Sequence, residues 1–340
     1  MAITVDIGVF ARNMATSIAA MVVELARQDI LVGDMDVRVL ILANGCIDTT
    51  VDRARAACRA TGDRIEVVDL ALGGKSRTWN SFVHDLSRPG ADVLLFCDAD
   101  IEMPESDTLS RLVKALLARP ELLALGSQPM KDIAYRPVKL SRVDRLISMA
   151  GGNIGDWQST ICGQLYAMPA SAARALHLPI GLPAEDGFLR AMVLTDVLTT
   201  PENLSVIGGD DTIFHLFAAE RSISGLIRHR TRIVIGSAIN SATFAALAAL
   251  PAPARRAELA RAAGDETWTS RQIRARLPRL PHGFVPLHFL FGRAGRMLAK
   301  PRALLRPRQL FLFVAGFGFD FIVYLNAQIR MARGTGAGHW

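Results

Sequence analysis

Two aspartates one residue apart, Asp98-Ala99-Asp100, close the apolar run Asp92-Val-Leu-Leu-Phe-Cys97. On an extended backbone, side chains two apart leave the same side, so both carboxylates can share one hard cation with phosphate oxygens. Mg2+ or Mn2+ suits such a donor set. The competing role is ordinary capping of a helix beginning near Glu105. Lys75 follows Gly73-Gly74 at an expected helix start, where backbone donors and an ammonium together suit phosphate; the alternative is a solvated surface lysine. Gly74-Lys75-Ser76 looks like the end of a P-loop, but that pattern requires glycine at 69 and the chain has Asp69. A nucleoside triphosphatase is therefore disfavoured.

Further candidates lie downstream. Glu185-Asp186 follows Pro183-Ala184 at an expected helix start, where the helix dipole favours acids in any case. Gly163, in Gly163-Gln164-Leu165-Tyr166-Ala167-Met168, permits close approach of a ligand or marks a bulge. Asp210-Asp211 and Arg228-His229-Arg230 are late polar clusters. His229 is a candidate metal or diphosphate ligand, weighed against a surface role. Arg228, Arg230 and Arg232 alternate, so on a strand they would share one face able to meet phosphate.

The elements that must position these residues alternate between two periods. Strands are expected near 3–9, 37–43, 64–70 and 92–97, and helices near 14–28, 49–60, 75–86 and 106–118. This pattern indicates βαβ units around a mainly parallel sheet, with the unbroken apolar run at 92–97 in its centre. In such sheets ligands sit beyond the carboxyl ends of the strands. Those segments are Ala11-Arg12-Asn13, Asn44-Gly45, Gly73-Gly74-Lys75 and Asp98-Ala99-Asp100. Further strands are expected near 122–127, 160–168 and 226–235, with a helix near 185–197.

Taken in order, Phe10-Ala-Arg-Asn13, Ala43-Asn44-Gly-Cys-Ile-Asp48-Thr-Thr50, Gly74-Lys75-Ser-Arg-Thr-Trp-Asn80 and Asp98-Ala-Asp100 resemble family-2 glycosyltransferases of the GT-A fold. The likeness continues to Glu185-Asp186 and covers roughly residues 1–240. It implies a Rossmann-like α/β sheet with helices on both faces, and a nucleoside diphosphate sugar as donor. By this resemblance Arg12, Asn13 and Asn44 hold the nucleobase and ribose, and Lys75 approaches base or diphosphate. Asp98 and Asp100 hold ribose and metal. Gly163 opens the strand beside the donor sugar, and Glu185 with Asp186 forms the acidic pair at the acceptor site. Asp186 is then the general base, removing the proton of an acceptor hydroxyl as it attacks the anomeric carbon with inversion, while the metal offsets charge on the leaving diphosphate. The family often places an acid at the start of the second loop, where this chain has Ala43-Asn44; Asp48 either compensates or caps helix 49–60. The family's Q-x-x-R-W motif is absent.

Composition bounds the remaining possibilities. Half of the 340 residues are hydrophobic and 21% are charged, which describes a folding chain rather than a disordered one. The four cysteines, Cys46, Cys58, Cys97 and Cys162, form no C-x-x-C pair, as suits a reducing compartment. The segment after Met1 lacks the basic and apolar regions of a secretion signal, so the catalytic part is expected in the cytosol. The net charge of +7 is uneven: residues 253–309 hold thirteen Arg and Lys against three acids, an excess of +10 that leaves −3 elsewhere. That asymmetry points to an anionic partner or to a solvated face. Nucleic acid is disfavoured, because the stretch has little aromatic interleaving.

The chain is expected to divide into a GT-A domain, 1–245, and a basic, apolar helical C-terminal region, 246–340. Within the latter, Leu310–Leu325 is sixteen residues long, contains Asp320, and lies between Arg302, Arg306 and Arg308 on one side and Arg330 and Arg333 on the other. Sixteen residues are short for a membrane span. The expectation is a helix in the interface of the inner membrane face, with Phe311, Phe313, Phe317, Phe319 and Phe321 in the lipid and the arginines on anionic headgroups. The alternative is a buried docking helix. A lipid-linked or membrane-proximal acceptor follows from the first reading. Two rivals share the fold. A sugar-nucleotide pyrophosphorylase should show a Gly-rich, Arg-containing loop after the first strand, which this chain lacks. A non-catalytic sugar-nucleotide-binding or partner-binding protein stays open, because fold does not establish function.

Overall fold

The computed structural model describes residues 2–61, 64–136, 156–277, 284–298 and 307–334. Its centre is an eight-stranded sheet. Strands β1 (Thr4–Ala11), β2 (Asp36–Asn44), β3 (Ile65–Leu70) and β4 (Val93–Asp98) run parallel in the order β3-β2-β1-β4, as the alternating sequence predicts. The second half is mixed. It comprises β5 (Ile101–Glu102), β6 (Ala124–Lys131), β7 (Leu165–Pro169) and β8 (Ile207–Phe217). β7 is antiparallel to both β4 and β6, β8 is parallel to β6, and β5 closes the edge antiparallel to β8.

Side-chain alternation divides the core into two layers. On one face Ile7, Val9, Ile41 and Leu95 pack against α1 (Ile18–Ala26), α2 (Thr50–Ala60) and α4 (Thr108–Leu117). On the other, Leu40, Leu42, Leu94 and Phe96 meet Trp79 and Phe82, which lie on α3 (Lys75–Asn80) and its wider continuation over 81–86. A helical turn, α5 (Asp132–Tyr135), follows β6, and α6 (Ala170–Arg174) follows β7. That second layer is completed by α7 (Glu185–Leu194), α8 (Ile223–Ala248), α9 (Ala252–Ala262) and α10 (Trp268–Arg276). The chain then continues in α11 (His288–Leu298) and α12 (Pro307–Ala332).

The structure corrects the strand expected at 226–235 and adds detail to the C-terminal region. Residues 226–235 are not a strand but lie within the 26-residue α8. The run Ile233-Val-Ile235 has β-strand composition, yet the buried positions Thr231, Ile235, Ile239, Ala242 and Ala246 recur at helical spacing. The alternating arginines therefore do not share a face: on a helix Arg228 and Arg232 lie one turn apart while Arg230 points away from them. Next, several arginines of the basic stretch are used internally. Arg255 donates to the carbonyls of Leu198 and Leu250, Arg256 to Ala175 and Asp196, Arg261 pairs with Glu258, and Arg271 pairs with Asp265. Finally, the sixteen-residue C-terminal apolar run lies inside a helix of 26 residues, about 39 Å long at 1.5 Å per residue.

The division expected at residue 245 falls inside α8, and Leu259, Ala262, Trp268 and Ile273 join the same buried cluster as the sheet. All four cysteines are free thiols.

Candidate active site

The carboxyl ends of β1, β2, β3 and β4 deliver four loops to one edge of the sheet. Below them lies a stack of rings: Phe96 is parallel to Trp79 at 5.6 Å and to Tyr166 at 4.6 Å, and Trp79 Nε1 donates to the Tyr166 hydroxyl at 3.0 Å. Such packing gives the polar residues above it a rigid floor.

In the first loop Asn13 adopts a left-handed backbone (φ 52°) and its Oδ1 accepts from Ile47 N at 2.9 Å, joining loops one and two. Asn44 is buried, and its Oδ1 accepts from Gly74 N at 2.7 Å, joining loops two and three. Gly45 follows at φ +55°, where a β-carbon would stand 2.5 Å from Gly73 N, so only glycine fits between these loops. The Arg12 guanidinium lies beside Gly73, and its Nη1 is buried with no partner. An unspent buried donor fits an anionic or carbonyl-bearing ligand. Asp48 is committed locally: its carboxylate accepts from Thr50 N at 3.0 Å, from the Thr50 hydroxyl and from Ala15 N at 3.2 Å. The hydrogen bond from the Thr50 side chain is the main cause that lowers its pKa. Asp48 thus ties the start of α2 to the first loop.

The charged centre joins residues far apart in sequence. Because β7 is antiparallel to β4, its first residues stand beside the end of β4, and Asp98 N donates to Gln164 O at 2.7 Å. Lys75 Nζ lies 2.7 and 2.8 Å from the two Asp98 carboxylate oxygens, 3.0 Å from Gly163 O and 3.2 Å from Glu185 Oε1. Burial alone would lower the Lys75 pKa, but Asp98, then Glu185 and Asp186, hold it well above the ordinary lysine value. Burial pushes Asp98 up to about 7, with Lys75 opposing and Asp100 reinforcing the rise. Asp100 itself is exposed.

Glu185 and Asp186 open α7, held in place from α8. Asn240 Nδ2 donates to Ala184 O at 2.9 Å, and a β-carbon on Gly236 would stand 2.6 Å from Ala184 Cβ. This close packing presents Glu185 to Lys75 and Asp186 to Gly163, where an added β-carbon would lie 2.9 Å from Asp186 Cβ. Asp186 Oδ1 accepts from Gly187 N at 2.8 Å. Burial, then the charge of Glu185, raises the Asp186 pKa, which moves a carboxylate toward the range useful to a general base near neutral pH.

The carboxylates of Asp98 and Asp100 are oxygen donors of the kind that Mg2+ or Mn2+ prefers, and Asp98 is already paired with the Lys75 ammonium. Among the described residues no three His, Cys, Asp or Glu side chains converge as a cation site. His229 is thus not brought to the aspartates. It is exposed on α8, with Arg232, Arg230 and Glu220 as its charged neighbours.

Sequence reasoning missed one histidine that does reach the site. His215 on β8 is fully buried; its Nδ1 lies 2.5 Å from Ser127 Oγ and its Nε2 lies 3.0 Å from Gln164 Oε1. Burial pushes its pKa down to about 3, so the ring is neutral. An amide oxygen only accepts, so Nε2 carries the hydrogen and Nδ1 accepts from Ser127. Ser127, His215 and Gln164 thus form a chain that ends on the backbone of Asp98. The signal available was the alternation Ile213-Phe-His-Leu-Phe217, a strand pattern with a polar residue on its inner face.

Comparison with known proteins follows from this geometry. Residues 6–168 match the model of Glycosyl transferase family 2. No curated protein matches the sequence. Among solved structures, the mannosyltransferase PcManGT from Pyrobaculum calidifontis, in complex with GDP-Man and Mn2+, aligns with a TM-score of 0.53 at 17% identity, covering 95% of this chain and 86% of its own. Glucosyl-3-phosphoglycerate synthase from Mycobacterium tuberculosis, in complex with phosphoglyceric acid, scores 0.47 at 19% identity over 71% and 79% of the two chains. Mannosyl-3-phosphoglycerate synthase from Rubrobacter xylanophilus scores 0.46 at 16% identity over 69% and 73%. The α/β architecture with its helical C-terminal extension is of the GT-A type.

Proposed function

We infer, from the premise that this chain is a glycosyltransferase carrying a family 2 domain over residues 6–168, that it moves a sugar from a nucleoside diphosphate sugar to an acceptor hydroxyl with inversion. The observation that carries this reading is the convergence of Lys75, Asp98 and Glu185-Asp186, from three separate elements, on the cleft beside Gly163. PcManGT, which was solved with GDP-Man and Mn2+, is an example of such a donor and metal on this fold.

Roles follow from position. The nucleoside lies over Arg12, Asn13 and Asn44, whose loops are locked together by side-chain to backbone hydrogen bonds. Asp98 and Asp100 would hold Mg2+ or Mn2+, which when bound neutralises charge growing on the diphosphate. Lys75 adds its ammonium to the same task, since charge-assisted bonds to phosphate oxygen are strong. Gly163 lacks a side chain where the sugar must pass Asp186. Asp186 takes the proton of the acceptor hydroxyl as the oxygen attacks the anomeric carbon, and Glu185 holds Lys75 in the cleft.

The acceptor, in this reading, is lipid-linked or membrane-proximal, and the enzyme sits at the cytosolic face of an anionic membrane. Two helices, Ile223–Ala248 and Gln309–Ala332, are long and apolar enough to cross a membrane. The apolar stretch of the first is 56% buried inside the protein and belongs to its core, whereas that of the second is only 11% buried. On α12, Leu310, Phe311, Leu312, Val314, Phe321 and Ile322 are exposed. At 100° per residue they sweep an arc of about 200°, while Val323, Ala327 and Met331 anchor the opposite side. A soluble helix would place charges on so wide an arc. Phe313, Phe317 and Phe319 are half-buried, so the lipid-facing set differs from the five phenylalanines expected from sequence. Of the flanking arginines, Arg302 and Arg306 lie outside the described residues.

The test is calorimetric titration of nucleoside diphosphates and their sugars, with Mn2+ and with chelator, into wild type, Asp98→Ala and Asp100→Ala. Metal-dependent binding that both substitutions abolish is expected. Absence of binding under every condition would remove the donor-site reading.

A further inference from the structure

The ammonium of Lys75 stands where a divalent cation and a diphosphate must both arrive. It contacts both carboxylate oxygens of Asp98, at 2.7 and 2.8 Å, and is steadied by Gly163 O at 3.0 Å and Glu185 Oε1 at 3.2 Å. Its backbone is tied to the opposite end of the donor site. Gly74, immediately before it at φ +129°, donates its N–H to Asn44 Oδ1 at 2.7 Å, and Asn44 belongs to the loop assigned to the nucleoside. One short path, Asn44 to Gly74 to Lys75 to Asp98, thus joins the nucleoside loop to the cation-holding carboxylate.

We propose that Lys75 is the positioning residue that makes cation binding at Asp98 conditional on the arrival of a nucleoside diphosphate. The inference rests on the donor-site reading above. Its physical basis is like-charge exclusion. A divalent cation coordinates carboxylate oxygen at about 2.1 Å, so with both Asp98 oxygens already against the ammonium, the two cations would stand within one side-chain width of each other. With the two side chains only 25% and 19% exposed, water screens that repulsion incompletely. A cation arriving alone must break the Lys75–Asp98 pair, which leaves the ammonium only Gly163 O and Glu185 Oε1. A diphosphate arriving with it brings anionic oxygens that take the ammonium as Asp98 gives it up. Cation and nucleotide are then positively coupled, and by linkage each tightens the binding of the other by the same factor.

The experiment measures Mn2+ affinity of the full chain by electron paramagnetic resonance, with and without UDP or GDP, for wild type, Lys75→Met, Lys75→Gln and Lys75→Arg. In the wild type, diphosphate should tighten Mn2+ binding on the order of tenfold or more. Without nucleotide, Lys75→Met and Lys75→Gln should bind Mn2+ more tightly than wild type, and their coupling factor should fall. Lys75→Arg, which keeps the charge, should retain the wild-type order. The glutamine variant keeps hydrogen-bonding capacity toward Asp98 and Gly163, so it serves if the methionine variant folds poorly. Unchanged or weaker nucleotide-free Mn2+ binding in the neutral variants overturns the role of Lys75 while leaving the donor site intact. Absence of Mn2+ binding to wild type with either diphosphate overturns the donor-site reading as well.

Discussion

The α-carbon of Gly163 lies so close to Asp186 that a β-carbon added there would sit 2.9 Å from Asp186 Cβ and 3.4 Å from its Oδ2. The opening of β7 and the first turn of α7 therefore fit together only if residue 163 has no side chain, and the position of the proposed base depends on that fit.

Gly163→Ala should displace Asp186 by a few tenths of an ångström or more. Turnover is expected to fall by up to about 100-fold, the loss that misplacing a reacting group by about 1 Å can cause, a larger factor than any change in nucleotide affinity. Steady-state kinetics alongside calorimetry decides this. Full activity in the variant would show that Asp186 need not hold its observed position.

Removing the basicity of Asp186 tests the chemistry itself. Asp186→Asn should lower kcat by about 10²–10⁴-fold with donor binding retained. Burial and Glu185 raise the pKa of Asp186, and the base acts in its ionised form. The rate of the wild type should therefore rise with pH along a limb lying above the ordinary aspartate range, and that limb should vanish in the variant. An unchanged profile in Asp186→Asn would assign the base elsewhere.

His215 makes a separate prediction about stability. It stays neutral in the folded protein down to about pH 3, whereas an unperturbed histidine takes a proton near 6.5. Between those values the unfolded chain binds more protons, so the contribution of His215 is fully present above about pH 6.5 and is lost as pH falls toward 3, by up to about 1.4 kcal/mol per pH unit. Thermal denaturation of wild type and His215→Gln between pH 7 and 4 should give curves that converge on acidification. Parallel curves would mean that the buried ring does not control acid stability.

The apolar arc of α12 predicts lipid binding. Sedimentation of the full chain with vesicles containing anionic lipid should recover the wild type, and Phe311→Asp with Phe321→Asp should release it, since both rings are exposed on the arc and leave the catalytic cleft untouched. A wild type that stays in the supernatant would refute the membrane reading; a soluble dimer dispersed by the same substitutions would identify the arc as an interface between two copies.

The amino-acid sequence alone determined the strand-end architecture. Short apolar runs followed by polar turns mark β1 to β4, and they place Asp98 at the end of β4, with Asp100 in the turn that follows. The same locality places Asn13 just after β1, Asn44 at the end of β2 and Lys75 at the start of α3. What failed was local inference without its tertiary context. Residues 226–235 read as a strand over ten residues, and only the 26-residue burial pattern of α8, closed by Gly236 against Ala184, makes them helical. Asp48 had two roles in the sequence, and its bond to Ala15 N, 33 residues away, is a contact that neither role foresaw.

Only the tertiary structure decided the partners of the charged groups. Lys75 lies 23 residues from Asp98 and 88 from Gly163, and the glycines before it along the chain do not tell which carboxylate it meets. His215 reaches Gln164 and Ser127 because β6, β7 and β8 are adjacent in the sheet, an order set by long-range pairing. The reason is general: side-chain direction and period are properties of a few consecutive residues, whereas burial, and with it the strength of every charge interaction in the cleft, depends on what the rest of the chain brings to cover them.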